Sequence, residues 1–194
     1  SVPKLASAGT ISATADDLVL CDGAILSADI DGDGTAGGSE ATLGFGSPGT
    51  VKYQWQISYD NGGSYTDLVG IESADLTPGD LGTISQTVYI QRLAYVLYDG
   101  EACATEASNA IQIKLDDVRN LSITSSTGGF SFCEDTAVSF AAVGAVNGDT
   151  YEWEILSGAT TVTSSGTVAG ATTTDTTIVA TGSVKLTVTT PAGC

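Results

Sequence analysis

The sequence predicts an all-β protein built as two tandem antiparallel β-sandwiches, about residues 1–116 and 117–194. Three observations carry that expectation. A frame repeats: Cys21, Tyr53-Gln54-Trp55 and Cys103, then Cys133, Tyr151-Glu152-Trp153 and Cys194. Repetition of one order of residues is the mark of tandem modules, and a tryptophan between two cysteines suits a core strand of a small sandwich. The 24 glycines and a Thr/Ser-rich remainder suit short strands joined by turns, and no long segment has helical periodicity. Each half is large enough for one core and small enough to gain from a disulfide.

Residues 1–8, with Pro3 and no alternation, read as the tail of a linker. Thr10–Thr14 and Ala24–Ala28 read as short strands. Val51, Tyr53, Trp55 and Ile57 alternate with Lys52, Gln54, Gln56 and Ser58, which is the period of a half-buried strand. Asp60-Asn61-Gly62-Gly63 then predicts a tight turn. Short strands are expected near Tyr65–Leu68 and Ala74–Leu76, with a turn at Pro78-Gly79-Asp80. Thr87–Leu97 is the longest β-rich run; it turns back at Asp99-Gly100, and Ile111, Ile113 and Leu115 close the first module. In the second module Leu121 and Ile123 open, Val138, Phe140 and Ala142 alternate, and Tyr151, Trp153 and Ile155 repeat the tryptophan strand. Thr176–Ala180 and Val184–Val188 supply later strands. By comparison with the first module, a strand equivalent to Ala110–Leu115 is missing, so an open sheet edge is expected there.

The formal net charge is −17, from six Lys+Arg against 23 Asp+Glu. Such a surface repels nucleic acid and anionic lipid and favours divalent cations where carboxylates gather. Four cysteines without CxxC spacing predict two disulfides, Cys21–Cys103 and Cys133–Cys194, and an oxidising compartment. With no signal-peptide pattern, no apolar run of membrane-spanning length and no initiator methionine, the chain reads as an internal piece of a longer exported polypeptide.

The two frames differ in one spacing. Cys21 to Trp55 is 34 positions (55 − 21), whereas Cys133 to Trp153 is 20 (153 − 133). The extra residues fall in an acidic insertion, residues 29–49. Asp29, Asp31, Asp33, Gly34 and Glu40 match the D-x-D-x-D-G-x5-E pattern of a calcium loop. Alternate carboxylates converge on one ion in such a loop, the late glutamate adds a ligand, and Thr35 offers its backbone carbonyl. No helices flank it, so the expectation is a lone calcium loop grafted between strands.

Tyr53 and Trp55 share a face and read as core packing, with the indole near a disulfide. Catalysis finds little support: the chain has no histidine, so Ser-His and Cys-His dyads are excluded, and no carboxylate pair sits in a motif that specifies a cleft. Asn120-Leu121-Ser122 is a glycosylation sequon. Thr136 and Thr176, each after an aspartate, match a short Asp-Ser/Thr-apolar pattern of O-glycosylation.

Cys21-Asp22-Gly23-Ala24, Tyr53-Gln54-Trp55-Gln56, the Asp60–Tyr65 turn, Thr77-Pro78-Gly79, Gln91-Arg92 and Cys103-Ala104-Thr105 resemble the Ig-like repeats of giant Bacteroidota surface proteins. Residues 117–194, with Tyr151-Glu152-Trp153, Ser157-Gly158-Ala159 and Ala192-Gly193-Cys194, are similar to the PKD-like repeats that alternate with them. The resemblance implies a segment of a long adhesin of the kind exported by the type IX system and sometimes used in gliding. The role it implies is that of a stalk or filament at the extracellular cell surface, and not of an enzyme. Its expected partners are neighbouring repeats of the same polypeptide, glycans, or other copies of itself. The alternatives are an accessory module of a secreted polysaccharide-degrading enzyme and a self-assembling surface-layer or fibre subunit.

Overall fold

The alternation of Val51, Tyr53, Trp55 and Ile57 builds β4 (Thr50–Ser58), which pairs antiparallel along its whole length with β6 (Val88–Tyr98). The computed structural model describes residues 2–116, 119–159, 164–167 and 176–194. They divide into two units, Ser1–Asp116 and Asp117–Cys194. The protein is all-β, and its sheets are almost wholly antiparallel.

In the first unit the main sheet runs β2 (Val19–Leu20), β8 (Ile111–Leu115), β6, β4, β5 (Thr66–Asp67); only β2–β8 is parallel. β7 (Glu101–Ala107) pairs with the far end of β6 after a hairpin at Asp99-Gly100, where φ is +52° and +81°. Two successive positive φ values are what a two-residue hairpin requires, and Asp-Gly supplies them. Along β6, Val88, Ile90, Arg92, Ala94 and Val96 are buried, while Tyr89, Gln91, Leu93, Tyr95 and Leu97 between them are half-buried on the other face.

The inner face of this sheet is covered by a second, irregular layer. β1 (Leu5–Ser7) pairs with β3 (Thr42–Leu43), and single bridges join Thr10 to Ser39, Ser12 to Asp31, Ala24 to Ile84 and Ile30 to Leu76. Three expectations change here. The supposed linker tail contains β1, because Leu5 is a core residue. Thr10–Thr14 and Ala24–Ala28 make single bridges, not strands. One reason is Asn109, whose side-chain amide takes both backbone groups of Ile11 as a neighbouring strand would. Pro78-Gly79-Asp80 opens one helical turn, α1 (Pro78–Leu81), with a capping box between Thr77 and Asp80.

The acidic insertion is therefore part of the core. Ile30 is fully buried against Leu76, and Ala41 packs with Leu5, Ala8, Ala94 and Val96. The unit holds two apolar clusters, one around Trp55, Ile90 and Ile113, the other around Ala94 and Val96. Arg92 lies over the Tyr53 ring of one at 4.3 Å and the Trp55 ring of the other at 5.9 Å.

In the second unit β12 (Thr150–Ala159) pairs with β14 (Thr176–Thr189) and β13 (Ser164–Thr167), and β10 (Ala137–Val138) borders the start of β14. A separate pair is formed by β9 (Ser122–Ser125) and β11 (Phe140–Val143). The two runs expected at Thr176–Ala180 and Val184–Val188 are one strand, whose register against β12 shifts at Ser157. Val138, Phe140, Tyr151 and Trp153 form the core, with Phe132 edge-on to Phe140 at 6.4 Å.

Cys103 and Cys133 carry free thiols, whereas Cys21 and Cys194 are disulfide-bonded. Neither expected bridge, Cys21–Cys103 or Cys133–Cys194, forms. Topology explains the first. Cys103 pairs with Val96, while Cys21 follows Leu20, which lies beside Leu115, past the residue paired with Val88. Val88 and Val96 are eight positions apart (96 − 88) on one strand, about 27 Å at ~3.4 Å per residue. A disulfide needs Cα atoms within about 7 Å. In the second unit Cys133 precedes β10, which borders the first residues of β14, whereas Cys194 follows its last.

Candidate functional site

The bridges at Ile30 and Asp31 hold the chain extended up to Gly32, and the loop turns only after that. Its centre is the Asp31 carboxylate, 4% exposed. Oδ1 accepts from the Gly34 and Thr35 amides and the Thr35 hydroxyl; Oδ2 accepts from the Ala36 amide at 3.0 Å and the Gly38 amide at 2.5 Å. Burial alone would push this carboxyl up. The Gly38 and Ala36 amides outweigh that and hold it well below the usual carboxylate range. Asp75, from the loop before α1, caps the same turn: its Oδ1 accepts from the Gly32 and Asp33 amides.

Beside this loop stands Arg92, fully buried in the middle of β6. Nη1 donates to the carbonyls of Gly32 at 2.8 Å and Ala74 at 2.7 Å, and Nη2 to those of Ser39 at 2.8 Å and Ala8 at 3.4 Å. Nε has no partner. Burial lowers the pKa of this guanidinium, and Tyr53, Asp75, Glu40 and Asp31 oppose that shift. A guanidinium is not deprotonated in proteins, so the group stays charged at neutral pH. Four separate segments are thus tied to one cation on the central strand. The glycines of the insertion serve that approach. A Cβ at Gly32 would sit 2.1 Å from Arg92 Nη1, and one at Gly38 would sit 2.2 Å from the Asp31 carbonyl oxygen.

The expected calcium set of Asp29, Asp31, Asp33, Thr35 and Glu40 is not gathered. Among the described residues the carboxylates that converge are Asp31, Asp33 and Asp75. Asp29 precedes the bridged, buried Ile30, and Glu40 follows the Thr10–Ser39 bridge with its side chain exposed, so neither reaches the turn. Thr35 meets Asp31 as a donor, through its amide and hydroxyl. The acidic spacing that resembles a cation loop also organises backbone amides.

Trp55 is a fully buried core residue as expected, but a loop carbonyl satisfies its indole: Nε1 donates to Ser73 at 3.0 Å. Trp153 is equally buried, and among the described residues its Nε1 has no partner. The second unit has its own buried ion pair. Asp149 accepts from Arg119 Nε at 2.8 Å and Nη2 at 2.9 Å, and that guanidinium first of all holds its carboxyl below the usual range. Thr136 is half-buried in a turn, its amide donating to Cys133. Thr176 is the first residue of β14, and Asp175 lies outside the described residues. Asn120 is exposed.

Arg92 and Asp75 escaped the sequence reading of sites. A signal for Arg92 was present: it is the one charged residue at an inward position of a strand whose other inward residues are Val88, Ile90, Ala94 and Val96.

Fold and site together define an all-β module whose buried charges are bonded to its own chain. Residues 7–117 match a family described as a domain of unknown function (DUF8696), which is 111 of the 194 residues (117 − 7 + 1). The chain belongs to that family. No curated protein and no solved structure matches it. Among the described residues no helix is long and apolar enough to cross a membrane.

Proposed function

We propose that this chain is a structural and adhesive segment of a long secreted cell-surface protein, made of an Ig-like and a PKD-like sandwich that space and display a binding surface without catalysing a reaction. One observation carries the reading: the buried charges Asp17, Asp31, Arg92 and Asp149 are all bonded within the fold. A catalytic acid or base must be within reach of a substrate, whereas these groups tie loops to strands. The repeated Tyr-x-Trp strand in two tandem units supports a repeat array, and the resemblance to Bacteroidota surface repeats supports an extracellular place. A divalent cation is not needed to order the acidic loop, because the amides already satisfy Asp31.

The test is immunolabelling of intact cells of the source organism with an antibody against this chain. Surface label on unpermeabilised cells is the expected result. Label that appears only after permeabilisation overturns the proposal.

A further inference from the structure

The outer face of the main sheet in the first unit differs in chemistry from the rest of the chain. Four of the chain's five glutamines, Gln54, Gln56, Gln91 and Gln112, belong to it. Tyr89 and Tyr95 stand on the same face of β6, six positions apart (95 − 89), about 20 Å at ~3.4 Å per residue. In a chain with 23 acidic residues, Asp67 is the one carboxylate that the pairings of β4, β5, β6 and β8 bring to this face. Lys52 pairs with Tyr95 across the strands, and Lys114 lies on β8.

The amides are held in place before any ligand arrives. Gln91 Nε2 donates to Gln56 Oε1 at 2.7 Å, and Gln56 Nε2 donates to Asp67 Oδ1 at 2.7 Å. Gln112 Nε2 donates to the Tyr89 hydroxyl at 2.7 Å, and that hydroxyl donates to Asn61 Oδ1. Each amide in these chains keeps a second N–H, and Gln91 and Gln112 keep their carbonyl oxygens, for another partner. Ordering side chains is a main cost of binding, and here the fold has already met it.

We infer that this face binds a neutral polysaccharide. It deepens the adhesive reading above and rests on it. Charge selects the class. A chain at −17 repels a polyanion, and on this face Lys52 and Lys114 stand against Asp67, whose carboxylate is already bonded to an amide, so the face has no strong charge of either sign with which to select a charged ligand. Amides that both donate and accept match sugar hydroxyls, and the two tyrosine rings offer apolar faces to sugar C–H groups. A flat stripe of this length suits an extended chain of several sugars.

The experiment is retention of the 194-residue chain on insoluble cellulose, chitin, mannan and xylan, and its mobility in gels cast with soluble neutral glucans or with a polyuronate. Retention by at least one neutral polysaccharide is expected, with a loss of at least tenfold in affinity for Tyr95→Ala and for Gln91→Ala. Tyr59→Ala, off this face, should bind as wild type. Thermal melts of each variant separate lost binding from lost folding; if Tyr95→Ala melts early, Tyr95→Phe should keep both fold and binding. Failure on every neutral polysaccharide, binding to the polyuronate alone, or equal losses for Tyr59→Ala and Tyr95→Ala overturns the inference. Surface labelling with a blank polysaccharide panel would leave the cell-surface reading standing and remove this one.

Discussion

Trp55 and Trp153 occupy matching places in two units that treat them differently. Both are fully buried, and both stand two residues after a tyrosine on the long strand that pairs with the next long strand. In the first unit the loop before α1 returns a carbonyl to the indole, and a guanidinium lies beside it. In the second, among the described residues, the indole packs on Phe140 and its N–H meets nothing. A strand motif therefore fixes where the ring goes. Whether its polar edge is satisfied depends on a distant loop, here one that the longer first unit possesses. The first unit has a charged centre under an irregular layer; the second has an aromatic core and one Asp–Arg pair.

The sharpest way to break this contrast is Arg92→Leu. It orphans the carbonyls of Gly32 and Ala74 and leaves that of Ser39 with the Thr10 amide alone, so the first unit should lose about 3–5 kcal/mol. Urea melts in a Trp153→Phe background, where Trp55 is the remaining indole, read that loss directly. A change under 1 kcal/mol would mean that the clamp is dispensable.

Asp31→Ala comes next. It withdraws an ionised acceptor from four amides and a hydroxyl, and the expected cost is about 3 kcal/mol. The cost should be the same with and without millimolar calcium; a calcium-dependent difference would restore the cation loop. The folded carboxyl is depressed, so its stabilisation is complete above the unfolded value of about 3.9 and is lost as pH falls below it. Asp17 and Asp60 are lowered too, against Asp149 in the second unit. Acid should therefore loosen the first unit more, which far-UV melts between pH 5 and 2.5 would follow.

The tryptophans themselves give a smaller effect. Trp55→Phe leaves the Ser73 carbonyl without its donor, whereas Trp153→Phe removes a donor that has no acceptor among the described residues. The first should be the costlier by about 1–2 kcal/mol, and equal costs by denaturant titration would erase the distinction. Smallest of all is Phe45→Ser. Phe45 is wholly exposed on the turn between β3 and β4, so the melt should move by less than about 0.5 kcal/mol. A larger shift would show that this tip supports the fold.

Much of the fold was legible because period-two alternation and turn chemistry are local. Val51–Ser58, Val88–Leu97 and Tyr151–Ile155 alternate, and Asp60-Asn61-Gly62-Gly63 and Asp99-Gly100 turn where their residues allow positive φ. The second layer of the first unit was not legible. It is held by single bridges and side-chain stand-ins such as Asn109, which leave no periodic trace. The loop has a second use that its spacing does not show: carboxylates and glycines spaced to surround a cation are equally suited to gathering amides. Asp75 and Arg92, which bond to this loop from more than 40 residues away, are silent in the motif. The cysteine pairing failed because chain order does not say which end of a strand a residue occupies.

The bonds of Arg92 to Ala8, Gly32 and Ser39 span 84, 60 and 53 residues of chain. Contacts so distant in sequence form only after long loops have closed, and are thus among the last to appear as the first unit assembles. Interactions absent from the folding transition state act on the rate of unfolding. The clamp is thus a latch on the way out. Arg92→Leu should steepen the escape from the native state many-fold and leave the folding rate nearly as it was, which the two arms of a stopped-flow chevron separate. On the proposed reading of a stalk that holds a load, the time before it opens matters more than its depth at equilibrium.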